Sequence, residues 1–153
     1  MEMTLEKTNE REVISPQQML KVLRHRYPFL LVDRIVDYEC GKYVVGIKNV
    51  SFNEPWMPGH FPENPIYPGA FITESAAQTG AFLFFNPEKA ERNNGGMLTG
   101  IEKFRFKQVV RPGDQLIIRV EAEDRFGRCV MARAKISVGG KRVAEGRFSY
   151  VLQ

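Results

Sequence analysis

"GAFITESAAQTGAFLFF", residues 69–85, decides the fold. Asn86-Pro87 stops the run, and its side chains are apolar or small on nearly every side of a helix. A helix that is hydrophobic all round belongs inside a protein. The expectation is therefore one long central helix, roughly Gly69 to Phe85, and the rest of the chain must enclose it. "FLLVDRIVDYECGKYVVGIKNVSF", residues 29–52, predicts two strands joined at Cys40-Gly41. "GMLTGIEKFRFKQVVRPGDQ", residues 96–115, adds another strand pair element closed by the Pro112-Gly113-Asp114 turn. Residues 116–152 predict three long strands with turns at Phe126-Gly127 and Gly139-Gly140. The second is a two-residue hairpin signal, because glycine accepts the positive φ such turns require. One buried helix with about six antiparallel strands is an α+β arrangement, a curved sheet wrapped around the helix.

Upstream, "SPQQMLKVLRHRYP", residues 15–28, carries a helix start: Ser15 as N-cap, Pro16 at the first position, and Gln18 completing a capping box. This helix is expected to end before Tyr27-Pro28. Residues 1–12 read as a polar tail and residues 13–153 as one domain, since 153 residues suffice for one core and not comfortably for two. Nothing apolar approaches the length of a membrane span, and the charged start lacks a signal peptide's apolar middle. Two distant cysteines, Cys40 and Cys129, make neither a disulfide framework nor a metal motif and read as small buried hydrophobes, which fits a reducing cytoplasm. The 22 basic residues against 18 acidic ones are dispersed, which argues against a nucleic-acid partner and leaves room for an acidic protein partner.

Glu74 is the anomaly in the apolar helix, because a buried carboxylate is costly unless paired, hydrogen-bonded or protonated. Gln78, one turn later, shares its face. Burial disfavours the charged form of Glu74 and suits it to act as a general acid; the competing reading is a buried pair with an arginine such as Arg105. His60 sits in a loop stiffened by Pro58, Pro62, Pro65 and Pro68, which can hold an imidazole in place as a base or simply as a structural side chain. Gly69 opens the helix, so its N–H is an unpaired donor at the positive end of the dipole, able to hold a carbonyl oxygen as an enolate forms.

The segments "HRYPFLLVDRI" (25–35), "IKNVSFNEPWMPGHFPENPIYPGAF" (47–71), "ESAAQTG" (74–80) and "GIEKFRFKQVVRPGDQL" (100–116) together resemble the 3-hydroxyacyl-[acyl carrier protein] dehydratases of the FabZ type, which have a hot-dog fold. The likeness runs from about Ser15 to Leu152. It implies His60 and Glu74 as the catalytic pair, Gly69 as the donor to the thioester carbonyl, and Gln78 in a supporting position. It also implies a homodimer, often assembled further as a trimer of dimers, with His60 of one chain and Glu74 of the other facing a shared tunnel. Tyr67 stands where many relatives have methionine and Ala70-Phe71 where they often have Val-Leu, which bears on acyl chain length.

The reaction so implied is reversible loss of water from a 3-hydroxyacyl thioester, with no metal and no cofactor of the enzyme's own, since the phosphopantetheine arrives on the carrier. Tyr67, Phe71 and Phe82, with Phe85, are candidates for lining the acyl tunnel, against plain core packing. Arg105, Lys107 and Arg111 are candidates for docking the acidic carrier, against a solvated strand face. His25, between Arg24 and Arg26, reads as structural. Thioester hydrolysis on the same scaffold and a non-catalytic acyl-binding subunit are the alternatives.

Overall fold

The computed structural model describes residues 14–92 and 96–153, so the tail at residues 1–12 lies outside the described residues. Helix α1 (Pro16–Val22) starts as expected: the Ser15 side chain accepts from the Gln18 N–H, and the Gln18 side chain accepts from the Ser15 N–H. Six strands follow, β1 (Arg34–Glu39), β2 (Tyr43–Asn49), β3 (Gly96–Phe106), β4 (Gln115–Phe126), β5 (Cys129–Val138) and β6 (Lys141–Leu152). They form one antiparallel sheet in the order β1-β2-β4-β5-β6-β3. The turns at Gly41, Gly127 and Gly139-Gly140 have positive φ, as tight reversals between strands require.

The central helix α2 (Gly69–Gly80) packs on β4, β2 and β5. Its small polar residues are buried because each satisfies itself locally: Thr73, Ser75 and Thr79 donate to the carbonyls of Gly69, Phe71 and Ser75. Close approach needs glycine at two points. A Cβ on Gly46 of β2 would come within 2.7 Å of Thr79 Oγ1, and one on Gly80 would overlap the Tyr150 hydroxyl. The inward side chains of the sheet, among them Val44, Leu116, Ile118, Ala132, Ile136 and Phe148, are fully buried. The outward ones carry interleaved ion pairs, Arg119–Glu121–Lys135 and Arg133–Glu123–Arg147, so one face is dry and the other wet.

Three expectations are corrected. The central helix ends at Gly80 instead of Phe85: the N–H groups of Ala81, Phe82 and Leu83 bond to the carbonyls of Gln78, Thr79 and Gly80, a tightened turn that still buries Phe82 and Phe85. The strand starts at Arg34 instead of Phe29, with the Asp33 N–H already bonded to the Ile47 carbonyl of β2: the Leu31 N–H and the Phe29 carbonyl are taken by the Gln78 side chain. Cys40 and Cys129 are exposed, one in the β1–β2 turn and the other at the first residue of β5 beside a turn. No described helix is long and apolar enough to cross a membrane.

Candidate active site

The loop between β2 and α2 carries His60. Its backbone is self-bonded: His60 N–H donates to the Met57 carbonyl, Ile66 N–H to the His60 carbonyl, and Phe61 and Asn64 exchange N–H···O bonds. Trp56 lies against Phe71 of α2 with ring centroids 4.4 Å apart, and Arg111 donates to the Asn64 side chain at 2.6 Å, so the loop is fixed to the helix and to the segment before β4. The imidazole stacks on Phe61, and His60 Nδ1 lies 2.8 Å from the Ile66 carbonyl oxygen. A carbonyl only accepts, so Nδ1 carries the hydrogen of the neutral ring and Nε2 is left with its lone pair.

Glu74 lies one turn into α2, its side chain 24% exposed, so a single chain does not seal it. Gln78 Nε2 donates to Glu74 Oε1 at 2.9 Å and to the Phe29 carbonyl at 2.8 Å, while Gln78 Oε1 accepts from the Leu31 N–H at 3.0 Å. The buried amide thereby ties the carboxylate to the segment before β1. His25 Nε2 stands 3.6 Å from Glu74 Oε1, so the histidine read as structural borders the carboxylate, and Arg105, offered as its partner, lies instead on the exposed side of β3. A cavity of about 270 Å³ opens here, lined by Glu74, Gln78, His25 and Tyr150 and rimmed by Met97 and Leu98 of β3. Burial, with the Glu74 carboxylate adding to it, pushes the Tyr150 phenol well up, and its hydroxyl donates to the Ala77 carbonyl at 3.1 Å.

Gly69 opens α2 as expected, after Pro68 and with no side chain capping that end, so its N–H points out of the helix. It faces a second cavity, of about 330 Å³, bordered also by Tyr67, Ile72, Phe106 and Val110. A Cβ at Gly69 would come within 3.0 Å of the Phe106 ring, so any larger residue there would push on the half-exposed ring. Neither cavity unites the three residues: Glu74 and Gly69 face different ones, and His60 lines neither of the two. Of the proposed tunnel residues, Tyr67 is buried beside Gly69, Phe71 packs on Trp56, and Phe82 is enclosed in the core. Lys107 is 2.9 Å from Glu145, and Arg111 also donates its backbone N–H to Asp114, so both are engaged within the chain. Among the described residues no group of three or more His, Cys, Asp or Glu is placed to hold a metal ion.

A buried helix sheathed by a six-stranded sheet, with a histidine loop leading into the helix and a carboxylate one turn along it, defines a class. The model of the FabA-like domain matches residues 23–147. The dehydratase heterocomplex ApeI:P from Xenorhabdus doucetiae superposes with a TM-score of 0.72 over 88% of this chain and 90% of that one, at 21% identity, a likeness of fold. The 3-hydroxyacyl-[acyl-carrier-protein] dehydratase FabZ of Caldanaerobacter subterraneus subsp. tengcongensis is 48% identical over 86% of this chain and 93% of its own. That of Caldicellulosiruptor saccharolyticus is 46% identical over 88% and 96%. The chain belongs to the FabZ family of 3-hydroxyacyl-[acyl-carrier-protein] dehydratases and has its hot-dog fold.

Proposed function

We propose that the protein dehydrates 3-hydroxyacyl-[acyl carrier protein] in fatty acid biosynthesis with His60 as base, Glu74 as acid and the Gly69 N–H as oxyanion donor. The reaction itself follows from the family. The roles rest on one observation above the others, the bond from His60 Nδ1 to the Ile66 carbonyl, which leaves Nε2 as the acceptor. Nε2 takes the proton from the carbon next to the thioester while the Gly69 N–H holds the carbonyl oxygen, on which the negative charge gathers. The electron pair released closes the double bond, the carbon–oxygen bond at the 3-position breaks, and Glu74 gives its proton to the departing hydroxyl, which leaves as water. A proton returned from His60 to Glu74 through solvent resets the pair. Gln78 holds the acid in place. The enzyme needs no cofactor of its own in this scheme, since the phosphopantetheine arm arrives with the carrier.

The site is completed, in this reading, by a second copy of the chain. Two features support it. His60 lines neither the Glu74 cavity nor the Gly69 cavity of its own chain, and the Glu74 cavity is rimmed by an edge strand whose Met97, Ile101 and Phe106 are at least half exposed. A long apolar edge strand is a template for pairing. Pairing along β3 sets a partner's loop at the mouth of that cavity, and such dimers can assemble further as a trimer. The acyl chain then runs past Tyr67 and Phe71 toward the core around Phe82, and Arg105, with Lys107 and Arg111 nearby, meets the acidic carrier. The setting assigned is the cytoplasm.

The test co-expresses His60→Ala and Glu74→Gln chains. Each variant alone is inactive when enoyl-thioester absorbance is followed. Random pairing makes half of the dimers mixed, each with one intact site, so activity returns to about a quarter of wild type. If the site lies within one chain every site keeps a defect, and no recovery rejects the shared arrangement; full rate in either single variant rejects the roles.

A further inference from the structure

Lys48 occupies a position where the alternation of β2 calls for a hydrophobe. Val44, Gly46 and Lys48 all face the core side, and Lys48 is 6% exposed. Its Nζ lies 2.5 Å from Glu54 Oε1, with the two side chains 8% and 10% exposed, and 5.8 Å from the centre of the Tyr67 ring. Glu54 uses its other oxygen to accept the Ser51 N–H at 3.0 Å. The Glu54 carbonyl accepts the Met57 N–H, and the Met57 carbonyl accepts the His60 N–H. One ammonium thus touches both arms of the His60 loop: Glu54 on the outgoing arm and Tyr67 on the returning arm, two residues before Gly69.

Stability does not explain such a pair. Two charges withdrawn from water recover through mutual attraction little more than they lose, and well-packed uncharged residues of similar volume commonly serve a fold as well or better. What a buried pair provides is direction, because only one arrangement satisfies both partners.

We infer that Lys48 and Glu54 are a positioning pair that sets His60 against the Ile66 carbonyl, and so keeps Nε2 aimed at the substrate. The inference rests on His60 acting as the base. Without the pair the loop retains Trp56 on Phe71 and its own turn, but loses the strut between its arms, and the imidazole is no longer confined to one orientation. Small displacements of a base are costly, about a hundredfold for 1 Å.

The test is the double variant Lys48→Met/Glu54→Gln, which removes both charges and keeps an amide oxygen at position 54 as an acceptor for the Ser51 N–H. The expected result is a thermal midpoint at or near that of wild type, a kcat lower by about ten- to hundredfold, and a KM within about twofold. The chain has two histidines, so imidazole nitrogen NMR, with His25→Gln to assign them, reads the tautomer directly. Wild type shows His60 protonated on Nδ1 when neutral, and the double variant shows a mixture. An unchanged kcat, an unchanged tautomer, or a double variant that fails to fold each overturns the inference, the last because a pair kept for positioning is dispensable to folding. Failure of the catalytic roles is separate: it appears as full activity in His60→Ala.

Discussion

Replacing Gln78 by leucine separates what holds Glu74, the acid proposed above, from what it does. Gln78 is 2% exposed, and its amide makes three bonds, to the Leu31 N–H, the Phe29 carbonyl and Glu74 Oε1. Leucine fills a similar volume but orphans the Leu31 N–H, whose residue is 1% exposed and out of reach of water. An unsatisfied buried donor costs about 1–3 kcal/mol. The Phe29 carbonyl is only part-buried and finds solvent more cheaply. For a chain of this size each kcal/mol is worth about 2–4 °C, so the expected fall in the thermal midpoint is about 2–12 °C. Turnover falls as well, because Glu74 loses the donor that orients it. Glu74→Gln leaves the two backbone bonds in place, and so abolishes turnover with little change in midpoint. Paired melting curves and enoyl-thioester assays on both variants read the two effects. A Gln78→Leu midpoint within about 1 °C of wild type, less than the smallest fall worked out above, refutes the reasoning, since it means that the segment at residues 29–31 does not depend on the amide.

Gly80→Ala sets a methyl group into the Tyr150 hydroxyl and is expected to cost about 1–3 kcal/mol in urea unfolding, with part of the loss recovered by Tyr150→Phe in the same chain. A second expectation concerns acid. The hydrogen bond from Arg119, with Lys135 adding to it, holds the Glu121 carboxyl below its ordinary value. A carboxyl lowered in the folded state lends stability above its unfolded value and loses it as pH falls through the folded one. Wild type should therefore lose more thermal midpoint from about pH 5 to about pH 3 than Glu121→Gln, by a small margin because the pair is largely solvated.

What could be read in the sequence is what neighbours in the chain decide. Ser15 with Gln18, the glycine reversals, and Pro68-Gly69 at the mouth of the helix are local signals, and each stands where expected. The end of the central helix was not local. An apolar run reports burial without distinguishing helix from tight turn, so Phe82 and Phe85 extended the expected helix past its end at Gly80. The surroundings of Glu74 escaped for a different reason. Its neighbour His25, and the Phe29 and Leu31 backbone groups that hold Gln78 beside it, lie far upstream in the chain, and nothing in "RHRYPF" indicates a fold back onto the helix. Lys48 and Glu54 look like ordinary surface charges until the strand alternation places the lysine inward.

The two ends of the sheet are unlike. At one end β3 runs eleven residues and, beside exposed Glu102, Lys103 and Arg105, presents Met97, Leu98, Ile101 and Phe106. At the other, β1 has six residues, with Arg34 and Glu39 exposed and no large exposed hydrophobe. A ribbon sticky at both margins would polymerise into fibres. This one has a margin free of large exposed hydrophobes, so in the dimer proposed above, joining two copies about a twofold axis at β3 would consume the sticky side and growth of the sheet would stop.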